Sequence, residues 1–114
     1  MKYVTWNMNG TKEYEKVRDS LMTFKRASVK IVLLQEVHRL DDDKQFIRWC
    51  KELGWKTLVK GLKTNSGGLA VLSIDEDILL LDLDADRRWM VVCIGNQKFL
   101  NVYAPAEGVK ERCQ

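Results

Sequence analysis

Residues 29–34 read VKIVLL, an almost unbroken apolar run. The run is too short for a buried helix, and its β-branched residues favour a strand covered on both faces. It follows residues 12–27, where apolar side chains recur at spacings of three and four, as in an amphipathic helix. Residues 2–7, at the start of the chain, are rich in β-forming side chains. This order predicts a βαβ unit with parallel strands and a right-handed crossover.

The second half of the chain follows a different pattern. A second helix is predicted from the acidic triplet at 41–43 to residue 53, and Gly54 would end it. Short strands separated by turn residues come next, and Gly95-Asn96 is typical of a tight hairpin. The predicted strands are 55–59, 68–74, 78–83, 89–94 and 99–103. Together the two halves predict an α/β fold, with a mixed sheet that has a βαβ start followed by antiparallel strands and helices on one face.

Composition narrows the classes of protein to be considered. A length of 114 residues, with 46% hydrophobic and 31% charged residues, predicts one folded domain. The net charge of +3 is too small to indicate a nucleic-acid binder by itself. The longest apolar runs are too short to cross a bilayer, and the first residues enter a strand-like pattern at once, so we expect no secretory signal. Three cysteines without a C-x-x-C spacing favour reduced thiols in an intracellular protein.

Polar side chains follow the first two predicted strands. Asn7 and Asn9 end the first strand, and Glu36 ends the second. Because ligands of open α/β sheets bind beyond the carboxyl ends of the strands, we expect these side chains to form one site. One carboxylate beside amide oxygens suits Mg²⁺, which keeps several waters in most sites. On the pattern alone, the commoner interpretations are a solvated glutamate after a buried strand and asparagines that form a turn.

Other polar residues near the predicted strand ends also allow two interpretations. His38, the only histidine, could contact a phosphate or be an incidental loop residue. Tyr103 ends the last strand and could bind a phosphate or simply pack. The segment NSGG at 65–68 lacks the lysine of a phosphate-binding loop, so a close backbone turn is expected. The acidic triplet at 41–43 is expected to cap a helix, because consecutive side chains diverge and rarely share one metal ion.

Four sequence blocks, taken in order, resemble the endonuclease/exonuclease/phosphatase (deoxyribonuclease I-like) superfamily. They are TWNMNG at 5–10, IVLLQEVH at 31–38, SGGLAVL at 66–72 and LNVYAP at 100–105. Within the superfamily, the blocks most resemble the endonuclease domain of non-LTR (LINE-type) retrotransposons. The resemblance covers nearly the whole chain, and its most specific part is the Leu-Gln-Glu block. It implies the N-terminal part of a four-layer α/β sandwich, so residues 1–114 would be a partial domain.

The resemblance also implies a reaction, the Mg²⁺-dependent hydrolysis of phosphodiester bonds in DNA. Glu36 matches the metal-binding glutamate of the family, and Asn9 matches the Asp-or-Asn position beside the metal. Asn7 matches the active-site asparagine that helps to hold metal and phosphate, and Tyr103 matches the tyrosine that contacts the scissile phosphate. His38 matches a histidine often found in retrotransposon members, and we expect it near the phosphate.

The sequence departs from the family in two respects. Ala106 stands where the family has an asparagine, and the later Gly-Asp-x-Asn and Ser-Asp-His blocks have no counterpart in these 114 residues. Those blocks carry the aspartate that orients or activates water and a histidine that binds the phosphate. We therefore expect the chain to be inactive by itself. We also expect the second sheet of the sandwich to come mainly from a missing part. The face of the first sheet that should meet it would then be uncovered and would form a large apolar patch.

Two other functions stay open at this point. One is a different phosphoesterase of the same superfamily, which would act on phosphoinositides or nucleotides. The other is a non-catalytic nucleic-acid-binding or interaction module that has kept the fold and lost the chemistry. The retrotransposon resemblance implies DNA and the remainder of a parent polyprotein as partners, no membrane, and a location in the nucleus.

Overall fold

The helices and strands occur in the order that the sequence predicts. The computed structural model describes residues 2–103, so Ala106 and Cys113 lie outside the described residues. Neither helix within this range is long and apolar enough to cross a membrane. The elements are β1 (Lys2–Asn7), α1 (Tyr14–Arg26), β2 (Val29–Gln35), α2 (Lys44–Glu52), β3 (Lys56–Lys60), β4 (Leu69–Ser73), β5 (Ile78–Leu83), β6 (Trp89–Ile94) and β7 (Gln97–Val102).

The first sheet has the strand order β1-β2-β4-β3 and is mixed, as predicted. Strands β1 and β2 run parallel, with Thr5 opposite Leu33 and Asn7 opposite Gln35. Strand β4 pairs with both β2 and β3 in the antiparallel sense. Because α1 joins the two parallel strands, the predicted βαβ unit is confirmed, and β1 and β2 end at the same edge of the sheet.

Both helices cover one face of this sheet. Buried residues of α1 and α2 pack against alternate residues of β2 and β4, which explains why the apolar run at 29–34 serves two faces. Helix α2 ends as predicted, since Gly54 adopts a φ of +91° and its amide donates to the carbonyl of Lys51. The buried residues of this layer include Val17, Leu21, Val32, Leu34, Phe46, Cys50, Trp55, Ala70 and Leu72.

The acidic triplet before α2 does only part of what was predicted. Oδ1 of Asp43 accepts a hydrogen bond of 2.9 Å from the amide of Phe46, so Asp43 is the helix cap. Asp42 instead forms an ion pair with Lys60, and Asp41 with Arg87. The prediction that all three residues cap the helix was therefore wrong for Asp41 and Asp42, because these two carboxylates point to cations on other elements.

A second, antiparallel sheet of order β5-β6-β7 covers the other face of the mixed sheet. Met90, Val92 and Ile94 point inward from β6 and pack on a buried cluster that includes Leu33 and Val71. The expectation that this face would stay uncovered without a later part of the chain was wrong, because β5, β6 and β7 cover it. The physical reason is the period-two pattern of β6, which gives this chain its own apolar surface to cover the mixed sheet.

The outward face of the second sheet is apolar as well. Leu79, Leu81, Leu100 and Val102 are exposed, and Leu79 keeps 62% of its accessible surface. They occupy alternate positions on β5 and β7, on either side of β6. The sequence did not predict this exposed face, which lies one layer further out than the face that was expected to be uncovered.

Candidate active site

The parallel pairing of β1 and β2 brings the predicted site residues to one edge. The amide of Met8 donates to the carbonyl of Gln35, at 2.9 Å, and the amide of Gly10 donates to the carbonyl of Glu36, at 2.8 Å. The turn after β1 therefore lies directly beside the turn after β2. Asn7 and Asn9 belong to the first turn, and Glu36 to the second.

Glu36 lies between two other predicted site residues. The hydroxyl of Tyr103 donates a hydrogen bond of 3.3 Å to its Oε1. Nε2 of His38 lies 3.9 Å from the same oxygen, which makes an ion pair only when the imidazole is protonated. The side chain of Glu36 is 22% exposed, so the carboxylate still reaches solvent. Tyr103 and His38 thus share one carboxylate oxygen of Glu36.

The two asparagines form a compact turn. Oδ1 of Asn7 accepts a hydrogen bond of 3.0 Å from the amide of Asn9, which is an Asx turn. Asn9 adopts a φ of +49°, a conformation that Asn tolerates better than most residues. Both side chains are exposed at the edge of the sheet. The turn-forming interpretation is therefore correct for Asn7, and it leaves the amide group of Asn9 accessible to a ligand.

Left-handed backbone conformations recur in the second turn. Glu36 has a φ of +49° and His38 a φ of +52°. Strained residues of this kind persist only where the surroundings hold them, and they concentrate at functional sites. Here the carbonyls of Gly67 and Gly68 accept hydrogen bonds from the amides of His38 and Val37, at 2.9 and 3.3 Å. The NSGG segment is a close backbone turn, as predicted, and these two hydrogen bonds fix the turn that carries Glu36.

His38 packs on the first turn through its ring. A methyl group added at Gly10 would lie only 2.0 Å from Nδ1 of His38, so a glycine is needed here. Gly10 also has a φ of +68°, which favours glycine independently. In addition, Nζ of Lys12 donates to the carbonyl of His38. Contacts through backbone and ring therefore hold the two turns together.

A hydrogen-bond network between Gln35 and Asn101 escaped the sequence analysis. Nε2 of Gln35 donates to Oδ1 of Asn101 at 2.8 Å and to Oγ1 of Thr5 at the same distance. Asn101 is buried, and its Nδ2 donates to the carbonyls of Leu34 and Ala70. This network fixes β7 on the first sheet and thereby places Tyr103. The signal was available, because both residues stand inside the blocks that carry the family resemblance.

A cavity of about 270 Å³ adjoins Tyr103 on the side of the second sheet. Its lining includes Lys63, Arg87 and Arg88, together with the glycines of the NSGG turn.

The Arg87 side chain is held by an ion pair with Asp41, in which Oδ2 lies 2.9 Å from Nη2. The Asp41 carboxylate also accepts a hydrogen bond from the amide of Gly61. Partial burial alone would raise the pKa of the Asp41 carboxyl, but the hydrogen bond and charge of Arg87 and the Gly61 amide hold it below its ordinary value.

The donor set at this edge is that of a hard cation with few protein ligands. Within residues 2–103, no group of three or more His, Cys, Asp or Glu side chains is arranged to hold a metal ion. Glu36 would supply one carboxylate and Asn9 one amide oxygen. Such a set fits Mg²⁺, which often uses one or two carboxylates and completes its octahedron with water and substrate phosphate.

Solved structures with the same fold include nucleases. The 3′–5′ exonuclease NExo from Neisseria meningitidis is 26% identical, has a TM-score of 0.66, and matches 98% of this chain and 48% of its own. The 3′ phosphatase NExo from Neisseria, bound to a product DNA hairpin, gives 25% identity, a TM-score of 0.65, and coverages of 96% and 47%. The chain has the endonuclease/exonuclease/phosphatase fold. The AP endonuclease LMAP from Leishmania major, at 13% identity, supports the fold alone, with a TM-score of 0.67 and coverages of 90% and 40%.

The chain spans about half the length of these solved structures or less. No protein-family model matches it, and no curated protein matches it. The comparisons therefore establish a partial domain of the fold and its likeness to DNA-processing enzymes. The predicted roles of Glu36, Asn7, Asn9, His38 and Tyr103 stay predictions.

Proposed function

We propose that this chain is the N-terminal part of a Mg²⁺-dependent DNA endonuclease domain of the LINE retrotransposon type. The observation that carries the proposal is the position of Glu36, at the joined ends of β1 and β2 and in contact with the Tyr103 hydroxyl. Nuclease and phosphatase activities and bound DNA in the similar structures support DNA as the substrate class. The retrotransposon type rests on the sequence blocks.

Each site residue has a role under this proposal. Glu36 and Asn9 would hold Mg²⁺, while Asn7, His38 and Tyr103 would face the phosphate. When bound, the ion would neutralise charge that develops on the phosphoryl oxygens. The protein's own contribution is positioning, since the strained turns hold these groups in place before the substrate arrives.

The proposal separates binding from turnover. The residues that match the family bind metal and phosphate, whereas the blocks that activate water have no counterpart in the 114 residues. We therefore expect residues 1–114 to bind Mg²⁺ and DNA without cleaving it. The partner that would complete the domain is the remainder of a parent polyprotein, and its place of action would be the nucleus.

Two measurements on the purified chain test the proposal. Calorimetric titration with Mg²⁺ or Mn²⁺ should show one site that is lost in Glu36→Ala and kept in Glu15→Ala, which removes an exposed glutamate from α1. If both variants bind the ion equally well, the metal site is wrong. Supercoiled plasmid should not be nicked above the Glu36→Ala background. Nicking by the wild type that disappears in Glu36→Ala would show that the chain is active by itself.

A further inference from the structure

Arg39 is a buried cation directly beneath the candidate site. Its residue is only 4% exposed, and it takes part in none of the ion pairs formed among residues 2–103. Removing a guanidinium group from water is costly unless its donors find acceptors. In place of a carboxylate, the aromatic ring of Phe46 faces the guanidinium group, whose carbon lies 4.3 Å from the ring centroid.

The two ends of the guanidinium group reach different turns. Nη1 donates to the carbonyl of Val37, between Glu36 and His38, and Nη2 donates to the carbonyl of Thr11, just after the Asn9-Gly10 turn. Both bonds are 3.0 Å long. One rigid, planar group therefore spans the two turns that carry the proposed metal ligands.

We propose that Arg39 is a positioning residue that sets the spacing between the turn of Glu36 and the turn of Asn9. Its effect on metal binding rests on the proposed function, but its effect on the two turns does not. Lysine could not reproduce this geometry, because a single ammonium group lacks the fixed fork that reaches both carbonyls. Methionine would fill much of the space and leave both carbonyls without their donor.

Amide hydrogen exchange followed by NMR tests the proposal directly. The amide of Gly10 bonds to Glu36 and the amide of His38 bonds to Gly67, so both report on the two turns. In Arg39→Met we expect these two amides to exchange at least about tenfold faster, while the amides of β4 keep their rates. Arg39→Lys should fall between Arg39→Met and the wild type. Arg48→Met, on the exposed side of α2, is the matched control and should change nothing.

A Mn²⁺ titration of the same variants adds the functional readout. Loss of a group that orients metal ligands typically lowers affinity about 10- to 100-fold, and we expect Arg39→Met to do so. A uniform rise in exchange across all strands would show that Arg39 only stabilises the fold, and unchanged rates at Gly10 and His38 would also overturn the inference. If the wild type binds no Mn²⁺ while the turns still loosen in Arg39→Met, the proposed function fails and the positioning role stands.

A second variant covers the case in which Arg39→Met does not fold. Phe46→Leu keeps the arginine and removes the ring beneath it, so the guanidinium group keeps its bonds to Val37 and Thr11 but loses its contact with the ring. We then expect faster exchange at Gly10 and His38, by a smaller factor, with the β4 amides unchanged. If Phe46→Leu leaves these two amides as protected as in the wild type, the positioning role is refuted.

Discussion

The side chains of Gln35 and Asn101 join the two sheets through a hydrogen bond of 2.8 Å, from Nε2 of the glutamine to Oδ1 of the asparagine. Asn101 is 1% exposed, and its own amide group donates to two carbonyls of the first sheet, each at 3.0 Å. Buried polar groups of this kind are stabilising only when all their partners are satisfied. The network lies two residues before Tyr103, so it links the packing of the sheets to the geometry of the site.

We expect Asn101→Ala to lower the free energy of unfolding by about 2 kcal/mol or more, because several buried polar groups would lose a partner at once. Urea denaturation followed by tryptophan fluorescence measures the loss. Asn65→Ala, in the exposed NSGG turn, is the matched control and should leave the midpoint unchanged. Equal midpoints for the two variants would show that the network contributes nothing to stability.

Gly10 and Gly67 offer a paired test of crowding at the site. Both have positive φ angles, +68° and +59°, so alanine is strained at either position by about 1 kcal/mol. Only at Gly10 would the new methyl group collide with His38, whereas at Gly67 no residue among 2–103, its chain neighbours aside, lies within 4 Å of it. We expect Gly10→Ala to lower the melting temperature clearly more than Gly67→Ala. Adding His38→Ala to Gly10→Ala should recover the excess, and a failure to recover it would mean that the ring is not the obstacle.

The first half of the fold was predictable because its signals are local. The apolar run at 29–34 and the helical spacing before it fix the βαβ unit, and the order of strands along the chain then brings Asn7 and Glu36 to one edge. The partition into two sheets was not predictable in the same way. Short strands such as 78–83 and 89–94 would form the same local hairpins in one continuous sheet or in two stacked sheets. Which of the two sheets a hairpin joins depends on the face that it buries.

The part of the site that could be predicted also depends on local patterns. The ends of the predicted strands pointed to Glu36, His38 and Tyr103 as candidates, and these three side chains lie together in the structure. Arg39 and Asn101 were missed because their importance lies in burial, which no local pattern reveals for a lone arginine or asparagine. Asp41 was misassigned because its partner, Arg87, stands on a distant hairpin.

The ion pair of Asp41 and Arg87 predicts a pH dependence of stability. The folded state lowers the pKa of Asp41, so the carboxylate stabilises the fold above the ordinary pKa of 3.8. The side chain of Asp41 is 41% exposed, and solvent screening therefore limits the contribution to about 0.5–1 kcal/mol. Asp41→Asn should be less stable than the wild type at pH 7, and the difference should shrink as the pH falls below about 4. A difference that stays constant down to pH 2 in urea titrations would contradict this.

The two described cysteines should differ sharply in reactivity. Burial raises the pKa of the Cys50 thiol to about 12, so almost no thiolate forms at pH 8. Cys93, on the second sheet, is only half-buried. In a Cys113→Ser background, we expect a thiol reagent such as DTNB to label Cys93 in the native protein and Cys50 only after denaturant is added. Labelling of Cys50 at the rate of Cys93 would show that the helix layer opens readily.

The apolar outer face of the second sheet predicts self-association of the isolated chain. Leu79 and Leu100 stand on opposite sides of β6 and are 62% and 59% exposed, which gives a continuous apolar surface on an otherwise charged protein. Burial of such a surface against a second molecule is favourable by roughly 25 cal/mol per Å² of apolar area. We expect light scattering to show a mass that rises with concentration, and the double variant Leu79→Lys, Leu100→Thr to remain monomeric. Leu62→Thr changes another exposed leucine, 48% accessible and outside this face, and should associate like the wild type. If it too becomes monomeric, the outer face is not the surface that associates.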